Sequence, residues 1–175
     1  MAGMRGRQTV RDMFLSMAVI GLVVAAIYMF IPHDDKGDPV RAVDYRVELA
    51  TARRAAPYPV VAPAELAGEW KPTSVTYKRQ SGDAWHLGFL DPDGEYVAVE
   101  QSTAPPKKYV HDVTQKAVDT GETQRVAGEE WQRWEGPKYS ALVRPGDAVT
   151  TVVTGTASYE RLAEMAAALE TGDDG

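Results

Sequence analysis

The chain of 175 residues has no cysteine. That absence removes disulfides, thiol nucleophiles, lipid attachment through cysteine and thiolate metal sites together. Histidine is also scarce, with three in the chain. They are His33, His86 and His111, and no HExxH or comparable spacing links them. His86 lies between Trp85 and Leu87 on a predicted strand and must point away from them. His111 precedes Asp112 on a predicted helix, where adjacent side chains do not face one another. Neither has a visible catalytic partner. The chain contains no GxSxG and no glycine-rich phosphate loop. Adjacent acids such as Asp34-Asp35 and Glu129-Glu130 read as solvated charge, because a glycosidase pair must span a cleft. The run Asp91-x-Asp93-Gly94-Glu95 lacks the later oxygens of a calcium loop and reads as a turn. The sequence therefore predicts no catalytic residues, no metal and no cofactor, and a chain that is not an enzyme.

Positive charge is in deficit as well. The chain has 19 Lys plus Arg against 25 Asp plus Glu. Three of those arginines and one of those aspartates precede residue 33, so the remainder carries an excess of eight acids. Such a surface repels phosphate backbones, and nucleic acid is not an expected partner.

What the chain does have is one long stretch without charge. It begins at Met13 and ends at Ile31, reading MFLSMAVIGLVVAAIYMFI. A helix of that length crosses the roughly 30 Å hydrocarbon core of a bilayer. Arg5, Arg7 and Arg11 precede it, and Asp34, Asp35 and Asp38 follow. Positive charge stays on the cytoplasmic side, so the N-terminus is expected inside and the rest outside the cell membrane. Residues 27–31 carry the apolar run past the small residues Ala25 and Ala26, which favours an uncleaved signal anchor over a cleaved signal peptide. The expected organisation is a basic tail at 1–12, a transmembrane anchor at 13–31 and a linker at 32–43. One extracytoplasmic domain at 44–170 and an acidic, disordered tail at 171–175 complete it.

Periodicity in the domain predicts a helix near 44–56 with Asp44 as its cap, and Pro57, Pro59 and Pro63 then forbid regular helix. Strands follow near 73–79, 85–90 and 95–101, with Asp91-Pro92-Asp93-Gly94 as the turn between the last two. Pro105-Pro106 opens a helix that places Tyr109, Val113 and Ala117 on one face and ends at Gly121. Four short strands follow, near 123–126, 130–135, 139–144 and 148–154. A last helix, capped by Thr156 or Ser158, carries a stripe of Leu162, Met165, Ala166 and Leu169. Strands joined by tight turns make an antiparallel sheet, here with helices packed mainly on one face: an α+β class.

Several segments carry a family resemblance: APYPVVAP (56–63), Trp70 with SVTY (74–77), WHLGFLDPDGEYVAVEQS (85–102), GEEWQRWEG (128–136) and VVTGTASYERLAEMAAALE (152–170). With the span included, the chain resembles the actinobacterial single-pass membrane protein family named domain of unknown function 4245. The resemblance implies a single-pass protein with an extracytoplasmic domain and brings no catalytic residues with it.

Two surface features are candidate contacts. Lys107-Lys108-Tyr109 is a basic-aromatic cluster suited to an anionic envelope component. Trp131 and Trp134 are three apart on a strand, so their rings point to opposite faces. Trp134 is followed by Gly136-Pro137 and is the ring expected outward, as a partner contact. The expected function is a membrane-tethered binding domain for a protein or envelope component near the bilayer. The alternative is a lipid or glycan carrier with a cleft between sheet and helices; a hydrolase ranks last. Oligomeric state is not legible.

Overall fold

The computed structural model describes residues 5–30, 42–66 and 69–172. The chain divides into two compact units, Met1–Pro39 and Val40–Gly175, each described by itself. In the first unit Arg5–Phe30 is one continuous helix, α1. The hydroxyl of Ser16 donates to the Met13 carbonyl at 2.9 Å, so the polar group is satisfied within the helix. Phe14, Leu15, Met17 and Ile20 stand exposed, and helical spacing spreads them around the whole circumference. Among the described residues no helix is long and apolar enough to cross a membrane. The side chains of residues 27–31, which complete the predicted span, lie outside the described set. So do residues 32–41 of the predicted linker and residues 173–175 of the predicted tail.

The second unit begins with α2 (Arg46–Ala55) and the short β1 (Val61–Pro63). Three strands follow: β2 (Lys71–Lys78), β3 (Ala84–Leu90) and β4 (Tyr96–Ser102). Next come α3 (Pro106–Val113), β5 (Val118–Val126), β6 (Glu129–Glu135), β7 (Ser140–Pro145) and β8 (Thr150–Gly155). Helix α4 (Tyr159–Ala167) and β9 (Leu169–Thr171) close the chain. Seven strands form one antiparallel sheet in the order β2-β3-β4-β8-β7-β6-β5, while β1 pairs only with β9. The unit is α+β, an antiparallel sheet with helices, as the strand and helix patterns predict.

Local chemistry accounts for the boundaries. The Arg46 N–H donates to the Asp44 carboxylate at 3.1 Å, so Asp44 supports the start of α2 from one residue outside the cap, which Tyr45 occupies. In the turn between β3 and β4, Asp91 Oδ1 accepts from the N–H groups of Asp93 and Glu95 at 2.9 and 2.8 Å. Ser158 caps α4, its hydroxyl accepting from the Arg161 N–H at 3.4 Å.

Helix α3 is shorter than its periodicity suggests and ends well before Gly121. The Thr114 hydroxyl donates to the Val110 carbonyl at 2.7 Å and accepts from the Ala117 N–H at 3.1 Å. Gln115 and Lys116 then take positive φ, at 55° and 84°, and reverse the chain into β5. Helix α4 likewise stops at Ala167, and Leu169 belongs to β9 rather than to the helical stripe. The β1–β9 pair has no counterpart in the predicted elements.

The sheet separates two cores by strand alternation. One face carries Trp85, Leu87, Phe89, Val97, Val99, Trp131, Leu142 and Val153, packed with Ala52 of α2 and Leu162 and Met165 of α4. Gln101, fully buried, ties β1 to this face. Its side-chain carbonyl accepts from the Val61 N–H at 2.9 Å, and its amide donates to Pro59 and Thr151, both at 3.3 Å. The opposite face carries Trp134, Ala141, Val143 and Val152, covered by Tyr109 and Val110 of α3. The helices thus divide, α2 and α4 on one face and α3 on the other.

Candidate functional site

The face under α3 is apolar over β6, β7 and β8 but polar over β2, β3 and β4. Trp85 and Leu87 are claimed by the first core, so His86 between them must face the other way. Register then decides its neighbours. Thr76 of β2 and Glu100 of β4 stand directly opposite His86, and Ser74 stands opposite Gly88, two residues along β3. Ser74, His86 and Glu100 therefore share one face across three adjacent strands.

The three side chains are hydrogen bonded in a row. His86 Nδ1 lies 2.6 Å from Glu100 Oε1, and His86 Nε2 lies 2.8 Å from Ser74 Oγ. A carboxylate accepts only, so Nδ1 donates to it, and in the neutral ring Nε2 is then left to accept from the serine hydroxyl. Ser74 and His86 are half-buried, and burial deepens from His86, whose side chain is 25 % exposed, to Glu100, at 12 %. The Tyr109 hydroxyl of α3 donates to the second oxygen of Glu100 at 3.5 Å. Burial, reinforced by the charge of Glu100, pushes the Tyr109 hydroxyl above its ordinary range and keeps it a donor. The Tyr96 hydroxyl is pushed up to about 12, by burial first and then by Glu100.

Gly88 makes the row possible. A Cβ there would meet Ser74 Oγ at 2.4 Å and the Tyr96 hydroxyl at 3.0 Å. Both polar groups occupy the space that any other residue would fill.

Between this row and α3 opens a cleft of about 530 Å³, lined by Thr76, Lys78, His86, Glu100, Lys108 and Asp112 among others. Lys108 donates to Asp112 at 2.5 Å, and that bond holds the Asp112 carboxyl below its usual range. A second hollow sits at the β3–β4 turn, where Arg161 joins Asp93 and Glu164 at 2.8 and 2.9 Å. Arg161 is the single cation among the five carboxylates that line it, Asp91, Asp93, Glu95, Glu160 and Glu164. Among the described residues no three His, Asp or Glu side chains converge as a metal ion requires.

The structure takes the predicted contact residues apart. Lys107 is exposed on α3, Lys108 turns to the cleft rim, and Tyr109 is buried beneath the helix. The three do not form one surface. Trp131 and Trp134 do point to opposite faces, but Trp134 is 9 % exposed and packed in the second core. Its expected outward exposure is corrected: α3 and the segment leading to β5 cover that face. The Tyr159 hydroxyl of α4 also donates to the Trp134 carbonyl at 2.8 Å, fixing the strand from the other side. The expectation that His86 has no partner is corrected too, since it has two. His111 is exposed, and its Nδ1 lies 3.7 Å from Asp112 Oδ1 despite their adjacency.

Ser74 and Glu100 carried no motif in the sequence. Their one signal was indirect: Thr73 to Arg79, Ala84 to Leu90 and the return strand, aligned in the hairpin register, place all three groups on the face away from the tryptophan.

No curated protein matches the chain. The family model described as protein of unknown function (DUF4245) matches residues 5–169, from the first residue of α1 to the first of β9, and the chain belongs to that family.

Proposed function

We propose that this chain is a membrane-tethered extracytoplasmic domain that holds a polar ligand of glycan size in the cleft between α3 and the open end of the sheet. The observation that carries the reading is the cleft itself. Its volume falls within the usual range of ligand sites, roughly 300–1,000 Å³, and charged or hydroxyl side chains converge on it from β2, β3, β4 and α3. Ala84, Ala104, Tyr109 and Val113 add apolar surface beside these groups, a mixture that suits a sugar, whose ring has an apolar face and a rim of hydroxyls. A protein partner docking on apolar surface is less well supported. Among the described residues beyond α1, the exposed large apolar side chains are Val47 and Val118, one on α2 and one on β5. They make no contiguous patch. The tether rests on the charge-free run from Met13 to Ile31 and the arginines before it.

The test is site-specific photocrosslinking in intact cells that express the full chain. A photoreactive residue at Thr76 should yield an adduct that disappears when glycosidases are added outside the cells. The same residue at Val118 should yield none. An adduct confined to Val118, or one at Thr76 that only protease removes, would overturn the reading.

A further inference from the structure

We propose that Ser74, His86 and Glu100 form a nucleophilic triad that cleaves carboxylic esters presented to the open face of β2 and β3. The order of contacts is the one such chemistry needs. The acid binds Nδ1, and the serine hydroxyl binds Nε2, at 2.6 and 2.8 Å. The burial fits as well: the carboxylate is more enclosed than the imidazole, and the serine, only partly buried, sits on the edge strand of the sheet.

Two features place Ser74 beyond the needs of a cross-strand polar pair. The β2–β3 register shifts between Pro72 and Ser74, and such irregularities re-aim side chains. Gly88 then leaves the space over its Cα in which Ser74 Oγ lies, with the Tyr96 hydroxyl beside it. The single proton of Ser74 is committed to His86. The Tyr96 hydroxyl, which stays protonated, is thus the donor next to the nucleophile and the group placed to stabilise an oxyanion.

The reaction balances with water alone. Ser74 Oγ attacks the ester carbonyl carbon while His86 Nε2 takes the hydroxyl proton. Collapse of the tetrahedral adduct breaks the carbon–oxygen bond to the alcohol, which leaves with that proton. Water then gives a proton to His86 and its oxygen to the acyl carbon. The carboxylic acid departs, and Ser74 recovers its proton from His86.

The inference goes beyond the cleft reading and is tested without it, using an ester too small to need the cleft. The full chain, held in mild detergent, is incubated with p-nitrophenyl acetate and, separately, with a fluorophosphonate probe. In the latter, Ser74 oxygen replaces fluoride on phosphorus. The expected result is a phosphonyl adduct mapped to Ser74 by peptide mass. Ser74→Ala should abolish it and lower p-nitrophenolate release by about 100-fold or more. Glu100→Gln and Gly88→Ala should each lower both readouts while Lys107→Ala leaves them unchanged. Should the Glu100 or Gly88 variant unfold, Ser74→Ala decides alone, with near-ultraviolet CD as its check on folding. An adduct elsewhere, no adduct, or hydrolysis undiminished in Ser74→Ala would overturn the triad and leave the crosslinking result at Thr76 untouched.

Discussion

The two faces of the seven-stranded sheet are made by the same strands yet solve different problems. On the face toward α2 and α4, apolar side chains run from Phe89 of β3 across to Trp131 of β6 without a break in kind. Of its buried polar residues, Gln101 has every arm bonded to backbone or to Thr151. On the α3 side, apolar residues fill only the half over β6 to β8. The other half keeps Ser74, His86, Glu100 and Tyr109 satisfied by one another. Burial stabilises in proportion to apolar area, whereas an internally satisfied polar row is nearly neutral. The comparison teaches that strand alternation has sorted the larger apolar core onto one face and a hydrogen-bonded polar row onto part of the other.

The largest effect should come from the face with the larger core. Trp131 is 1 % exposed, and Trp131→Ala should cost about 3–5 kcal/mol in urea unfolding of the full chain. Trp134→Ala should cost less, because its cluster is smaller and its ring less enclosed. Equal losses would say that the two faces contribute alike and would break the comparison.

A smaller effect should appear at alkaline pH. The raised hydroxyl pKa values of Tyr109 and Tyr96 mean that the folded chain holds those protons more tightly than the unfolded one. Their stabilisation is complete below the ordinary tyrosine value of about 10 and is lost as pH rises above it. Unfolding free energy should fall between about pH 10 and pH 12, and Tyr109→Phe should flatten that fall. At pH 7 the same variant should differ from the native chain by about 1 kcal/mol or less, the worth of one weak bond to Glu100. Parallel pH curves for the two proteins would remove Tyr109 as the cause.

The smallest effect belongs to the cleft rim. Lys108 and Asp112 are both largely exposed, and solvent screens such a pair. Lys108→Ala should leave the melting temperature unchanged while reducing adduct formation at Thr76. A clear loss of stability would show that α3 depends on the pair to stay seated.

The sequence made the elements legible where local chemistry acts alone. Asp91-Pro92-Asp93-Gly94 declared its turn, the tryptophan-leucine-phenylalanine alternation of β3 declared its buried face, and Leu162 with Met165 declared the stripe of α4. The end of α3 was not legible, because the side chain of Thr114 and two non-glycine residues at positive φ terminate it against its own periodicity. Trp134 was half legible. Alternation correctly sent it away from Trp131, but which helix covers the far face is a matter of topology. The Ser74–His86–Glu100 row was invisible for the same reason: it exists only once three strands are in register. The short β1 and β9 gave no periodic signal, being three residues each.

That last pair sets a limit on when the domain can finish folding. Val61 is matched to Thr171, so a strand made early must wait for one made much later. As the chain emerges N-terminus first, the Trp85 indole can already donate to the Val61 carbonyl, a bond of 3.1 Å in the finished fold. The outer edge of β1 stays bare until β9 arrives. Closure over so long a separation is slow, and it leaves a partly folded chain with an unsatisfied edge. The domain therefore cannot complete its fold until β9 has been made, and its most vulnerable moment to mispairing is the interval before β9 arrives.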